Sequence, residues 1–118
     1  MKNLRDLTVI IVTFHTPENI VLGCLRSINN DEVRVLIIEN SRTFIHEQKI
    51  KSEFSNVKII CTGENLGYGK GNNFGIQHVE SDYALILNPD VVCDKDFFSN
   101  ISTVINEAKD FSIIGCQY

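Results

Sequence analysis

Short β-branched runs alternate with stretches of helical periodicity along the whole chain, and this alternation restricts the fold more than any other feature. Val9 to Phe14 is an apolar, β-branched run that reads as a buried strand. Behind it Thr16-Pro17 offers a helix N-cap with proline at the first helical position. Ile20, Val21, Cys24, Leu25 and Ile28 then recur at helical spacing until Asn29-Asn30-Asp31 stops them. Further strands are expected at Val35–Ile38, Val57–Cys61, Tyr83–Leu87 and Ser112–Cys116. A weaker helical pattern spans Phe44 to Phe54, and another helix is expected from near Asn72 to Val79. A last one follows Asp94, a candidate cap, with Phe97, Phe98, Ile101, Val104, Ile105 and Ala108 on its apolar face. Strand–helix alternation of this kind predicts an α/β fold: a mostly parallel sheet with helices on both faces and right-handed crossovers.

The 118 residues make one domain, 1–118. Its 43% hydrophobic and 22% charged residues are ordinary for a soluble globular protein. The net charge of −4, with Lys and Arg scattered, argues against nucleic acid as a partner. An anionic ligand would therefore need backbone N–H groups, a lysine or a metal ion. None of the four cysteines lies in a C-x-x-C pair, and no histidine stands at zinc-finger spacing from them. They are expected as buried, reduced thiols of a cytosolic protein. The first apolar run is too short and too β-branched for a signal peptide, and no segment approaches the ~20 apolar residues of a membrane span. Asn100-Ile101-Ser102 is read as a chance sequon. His15, His46 and His78 have no partner at ligand spacing, and only His15 lies near the expected site.

In parallel α/β sheets ligands sit beyond the carboxyl ends of the strands, where the strand order reverses. The stretches to inspect are therefore Thr13-Phe14-His15, Glu39-Asn40-Ser41, Thr62 to Asn65 and Asn88-Pro89-Asp90. The glycine-rich GENLGYGKGNNFGI fails both phosphate-loop fingerprints. Asn72 stands where G-x-G-x-x-G from Gly67 needs glycine, and Glu64 and Gly71 break the P-loop pattern. It is either a flexible surface loop or a place for close backbone approach to a ligand. ALILNPDVV reads as a fully buried strand ended by a proline that cannot donate to the ladder. Asp90, projecting from that rigid turn, suits Mg²⁺ or Mn²⁺, or else starts a turn or caps the next helix with Asp94 and Asp96. Glu39 either accepts hydrogen bonds from a ribose or base, or is a solvated strand-end carboxylate.

VIIVTFHTPENI, VLIIENS, ENLGYGKGNNFGI and ALILNPDVV, in that order, make the sequence resemble the inverting glycosyltransferase family 2 with its GT-A (Rossmann-like) fold. The last two look most like the branch that includes bacterial rhamnosyltransferases, where Asn-Pro-Asp commonly replaces Asp-x-Asp. The resemblance implies that Asp90 is the metal ligand bridging to a diphosphate and that Asn88 lies near the ribose. It implies that Glu39 reads the nucleobase, in place of the usual aspartate, and that Thr13 and Phe14 flank the base. Asn65 and Gly67 fall in the donor loop. Asn72 replaces a common arginine, a charge that Lys70 is positioned in sequence to supply.

The implied reaction is glycosyl transfer, with inversion, from a UDP- or dTDP-sugar to a hydroxyl of a glycan or lipid-linked acceptor, using Mg²⁺ or Mn²⁺. Such enzymes serve bacterial polysaccharide or cell-surface glycan synthesis, in the cytoplasm or at the cytoplasmic face of the membrane. No residue here is a candidate for the base that deprotonates the acceptor. The chain is expected to be the donor-nucleotide half of a truncated GT-A domain, with weak or no turnover. Its uncovered sheet edge and apolar face favour a homo-oligomer. The alternative is a non-catalytic nucleotide-binding or assembly module. A nucleotidyltransferase or a Rossmann dehydrogenase would carry a glycine-rich stretch after the first strand, where TFHTPEN stands instead.

Overall fold

The computed structural model of the protein describes residues 4–107. After a short 3-10 turn at Leu4–Asp6 come β1 (Leu7–Thr13), α1 (Glu18–Ile28), β2 (Arg34–Glu39), α2 (Glu47–Glu53), β3 (Val57–Cys61), α3 (Tyr68–Gln77), β4 (Tyr83–Ile86) and α4 (Phe97–Glu107). The strands form one parallel sheet in the order β3-β2-β1-β4. The chain steps outward from β1 to β3 and then crosses back to place β4 on the other side of β1. The strand order therefore reverses at β1, whose carboxyl end is the place where such sheets bind ligands.

The expected α/β sheet with helices on both faces is present. On one face Val9, Ile11, Val35 and Ile37 pack with Val21 and Leu25 of α1, Ile50 of α2 and Phe98 of α4. On the other, Ile10, Val12, Leu36 and Ile38 lie with Phe74 and Val79. Burying a β-branched or leucine side chain this way stabilises the fold by about 1.5–3 kcal/mol each. α3 approaches the sheet closely because it turns glycines toward it. A Cβ on Gly71 would lie 2.9 Å from Val12 Cγ1, and one on Gly75 would lie 2.8 Å from Ile10 Cγ2.

Several expectations are corrected. α3 starts at Tyr68, not near Asn72: Gly67, at φ 84°, makes the entering turn, and close packing of Gly71 and Gly75 outweighs the poor helix propensity of glycine. Pro17, not Thr16, is the N-cap of α1; its carbonyl accepts from Ile20 and Val21, while Thr16 Oγ1 accepts from Phe14 N at 3.4 Å. α2 is confined to Glu47–Glu53, with Phe44 buried ahead of it. Asp94 enters α4 through its backbone carbonyl, which accepts from Phe97 N at 3.0 Å. β4 is not buried on both faces. α3 packs chiefly over β1 and β2, and on β4 Ala84 is exposed and Ile86 keeps 45% of its surface. Cys24 and Cys93 are buried as expected, but Cys61 is exposed, because it ends an edge strand. The expected strand Ser112–Cys116 and the helix position Ala108 lie outside the described residues. Asn29 ends α1 as expected, in the left-handed conformation (φ 43°).

Candidate functional site

The carboxyl ends of β1 and β2 are locked together by side chains. Thr13 and Glu39 are partners in the parallel register. Thr13 Oγ1 donates to Glu39 Oε1 at 2.8 Å, Ser41 Oγ donates to Glu39 Oε2 at 2.5 Å, and the His15 amide makes a long 3.5 Å contact to Oε2. Thr13 and Glu39 are each 1% exposed. Glu39 is thus not a solvated strand-end carboxylate: each of its oxygens accepts a hydroxyl within the chain. His15, just beyond, holds φ 52°, and its ring lies 4.4 Å from that of the half-exposed Phe14.

Asn40 ties this end to the donor loop. Its backbone N–H donates to Thr13 O at 2.8 Å, its Nδ2 donates to Gly67 O at 2.9 Å, and its Oδ1 accepts from Thr62 Oγ1 at 3.2 Å. Sequence reasoning assigned Asn40 no role. The signal was there, since an amide directly after a strand can bridge two loops at once. Asn65 Oδ1 accepts from Gly67 N at 3.0 Å and so shapes the turn into α3.

α3 begins on this same side of the sheet with no side-chain cap, so its first backbone N–H groups are open to an acceptor. From its first turn the Tyr68 hydroxyl donates to Asn88 Oδ1 at 2.5 Å. This bond joins the donor loop to the Asn-Pro-Asp turn, and Tyr68 is a second residue that sequence reasoning left without a role. Asp90, two residues on, is exposed, and no hydrogen bond or ion pair engages its carboxylate among the described residues. Lys70 is exposed and likewise free of an ion pair. Asn72, expected at the ligand surface, is 5% exposed, and its Oδ1 has no partner. The structure therefore links Asn65 and Gly67 to Asn88 through Tyr68, with Asp90 two residues on, and buries Asn72.

Among the described residues no three His, Cys, Asp or Glu side chains form a metal-binding cluster. A lone free carboxylate still fits Mg²⁺ or Mn²⁺, which take one or two carboxylates and complete their shell with water and phosphate oxygens. It does not fit a structural zinc site. Beneath the turn, Cys24 Sγ lies 3.9 Å from Asn88 O. Its thiol is pushed up to about 12, first by burial and then by Cys93 and Asp90, so it is inert as a ligand or nucleophile. A cavity of about 350 Å³ lined by Arg26, Glu53 and Asn56 lies at the opposite end of the sheet. One of about 270 Å³ lies at the carboxyl ends of β1 and β2, lined by His15, Glu39, Phe44 and His46. His46 closes its side through Nε2 at 3.1 Å from Thr16 O and Nδ1 at 3.4 Å from Glu18 Oε2. No described helix is long and apolar enough to cross a membrane.

Comparison with known proteins agrees with this geometry. The chain is 30% identical over 115 residues to the low-salt glycan biosynthesis hexosyltransferase Agl10 of Haloferax volcanii, matching 94% of this chain and 36% of that protein. It is 28% identical over 94 residues to the teichoic acid poly(glycerol phosphate) polymerase of Staphylococcus epidermidis, matching 74% of this chain and 13% of the polymerase. The chain thus spans about a third or less of the length of these two relatives. The crystal structure of S. aureus TarS residues 1–349 superimposes with a TM-score of 0.72 at 21% identity, covering 86% of this chain and 32% of TarS 1–349; the same fragment is also known in complex with UDP. That likeness establishes the GT-A-like fold of the described sheet and helices. The family profile described as Glycosyl transferase family 2 matches residues 8–118, nearly the whole chain, which therefore belongs to that family.

Proposed function

We propose that this domain binds the nucleoside-diphosphate part of an activated sugar and presents it for transfer, with inversion, to an acceptor hydroxyl. One observation carries the proposal: among the described residues Asp90 is an exposed carboxylate with no hydrogen bond or ion pair, two residues beyond Asn88, whose side chain accepts from Tyr68 in the uncapped first turn of α3. The Tyr68–Asn88 bond ties the Asn-Pro-Asp turn to that helix. A diphosphate between them would meet backbone N–H groups and the free Lys70 on one side. On the other it would meet a divalent cation held by Asp90. Such a cation supplies charge neutralisation for the departing diphosphate. Phe14 and the cavity beside His15 give the base a surface to stack on.

The UDP bound by TarS supports a nucleotide of that kind, and the glycan and teichoic acid relatives support a glycan or cell-surface polymer as the product. The Asn-Pro-Asp turn keeps a rhamnosyltransferase-like donor, UDP- or dTDP-linked, within the proposal. A lipid-linked or glycan acceptor, a cytoplasmic setting and self-association belong to it as well. Calorimetric titration with UDP and dTDP, with and without Mn²⁺, tests it. Binding should require the metal and fall at least tenfold, about 1.4 kcal/mol, in Asp90→Ala. Equal binding by Asp90→Ala would remove the proposed role of that carboxylate.

A further inference from the structure

His46 stands where two loops meet, and both of its ring nitrogens face acceptors. Nε2 lies 3.1 Å from the backbone oxygen of Thr16, and Nδ1 lies 3.4 Å from Glu18 Oε2. A carbonyl oxygen and a carboxylate can only accept, and a neutral imidazole carries a single N–H. The imidazolium, with two, is therefore the form that satisfies both partners. The ring has little room to turn away: the side chain is 14% exposed and lies edge-on to Phe44, with ring centroids 5.3 Å apart. Thr16 and Glu18 belong to the entry into α1 after β1, and His46 belongs to the entry into α2 after β2. One ring thus joins the segments that follow the two central strands. Thr16, Pro17, Phe44 and His46 all line the cavity of about 270 Å³ at that place.

Resting on the donor-site reading above, we infer that protonated His46 is a positioning residue for the nucleotide: it staples the entry of α1 to the entry of α2 and so fixes the walls of the cavity in which the base lies. Imidazole is the side chain whose charge changes between pH 5 and 8. The staple is complete at the acidic end of that range. It loses its Glu18 arm as the pH rises, while the Thr16 arm, which needs only one N–H, remains. The other ionisable groups around it are Glu47, the next residue, which is paired with Lys51, and His15 and Glu39, which line the same cavity. Glu18 is about half exposed, so water screens the pair and its effect on binding is modest, about threefold.

The test is a double-mutant cycle on the full chain: wild type, Glu18→Gln, His46→Phe and the double variant, each titrated with UDP in Mn²⁺ at about pH 5.5 and about pH 8. Comparing variants at one pH cancels the ionisation of the nucleotide itself. At the lower pH Glu18→Gln should bind UDP about threefold more weakly than wild type, and at the higher pH the two should bind alike. Adding Glu18→Gln to His46→Phe should change nothing at either pH. A Glu18→Gln loss of the same size at both pH values overturns the inference, because a merely structural Glu18 at the start of α1 would behave that way. A loss that persists in the His46→Phe background also overturns it. Should His46→Phe fail to fold, the comparison of wild type with Glu18→Gln at the two pH values decides alone. Should wild type bind no UDP at either pH, the donor-site reading fails and the effect on binding with it. The same cycle read by urea unfolding then decides whether the staple exists, through a coupling at the lower pH that vanishes at the higher.

Discussion

β1 has two neighbours, and they end in opposite ways. β2 is central, buried from Val35 to Glu39, and its terminal carboxylate is sealed by two hydroxyls. Among the described residues β4 is an outer strand, alternating between half-buried and exposed, and it leads to a carboxylate with no partner there. The two acids look alike in sequence, each closing an aliphatic run. What separates them is the number of donors each meets. A carboxylate between two buried strands must have its oxygens satisfied by the protein, because an unpartnered one would be costly to bury. One on a turn beyond an edge strand can leave its oxygens to water, a cation or a ligand. Glu39 is therefore held in place by its neighbours, while Asp90 stands exposed on its turn.

The widest gap between the two strands should appear in stability. Ile37→Ala on β2 removes a fully buried side chain and should cost about 2–5 kcal/mol in urea unfolding. Ile86→Ala on β4, where 45% of the surface is already exposed, should cost less than about 1 kcal/mol. Equal losses would mean that β4 is covered on the face that α3 leaves open.

The second contrast lies within α3. Gly75→Ala places a methyl group against Ile10 and Ile38, at 2.8 and 3.2 Å, and should destabilise by about 1–3 kcal/mol as the helix is pushed off the sheet. At Gly69 nothing lies within 4 Å of the added carbon, so Gly69→Ala should be neutral or stabilising by up to about 1 kcal/mol. A destabilising Gly69→Ala would indicate that the rim near Asp90 is more crowded than its surface suggests.

The smallest effect concerns the thiols below the two ends. Cys61, exposed at the end of β3, should be alkylated at pH 8.5, and Cys24 should be spared until the protein unfolds, as peptide mapping by mass spectrometry would record. Its raised folded value of about 12, against 9.0 for an ordinary cysteine, also gives the sign of the pH effect. The stability linked to Cys24 is complete below pH 9, where both states are protonated. It declines as pH rises from 9 toward 12, because only the unfolded chain gains by ionising. Cys24→Ala should flatten that alkaline decline.

Periodicity made most of the fold legible in the sequence: four strands, four helices and helices on both faces follow from where Val, Ile and Leu recur. It failed where backbone chemistry rather than hydrophobicity decides. Gly71 reads as a loop residue and Gly75 as an ordinary helix position, although glycine at both is what lets α3 lie against the sheet. ALIL reads as buried on both faces, because an aliphatic run does not say whether its strand is central or at an edge. For the site, the Tyr68 hydroxyl joins the donor loop to Asn88, two residues before the exposed Asp90. That Glu39 is buried and accepts the Thr13 and Ser41 hydroxyls depends on those side chains turning toward it, which no spacing rule reveals. Asn40 and Tyr68, which tie the loops together, act through single hydrogen bonds that become visible only when distant strand ends meet.

The most direct test of the central contrast is an amide NMR spectrum of the labelled protein with UDP and substoichiometric Mn²⁺. Paramagnetic broadening should be strongest at residues 67–70 and 88–91 and absent around Arg26 and Glu53 at the far end of the sheet. Broadening centred at the far end, or the same pattern retained in Asp90→Ala, would contradict the assignment of the open strand end as the metal and diphosphate site.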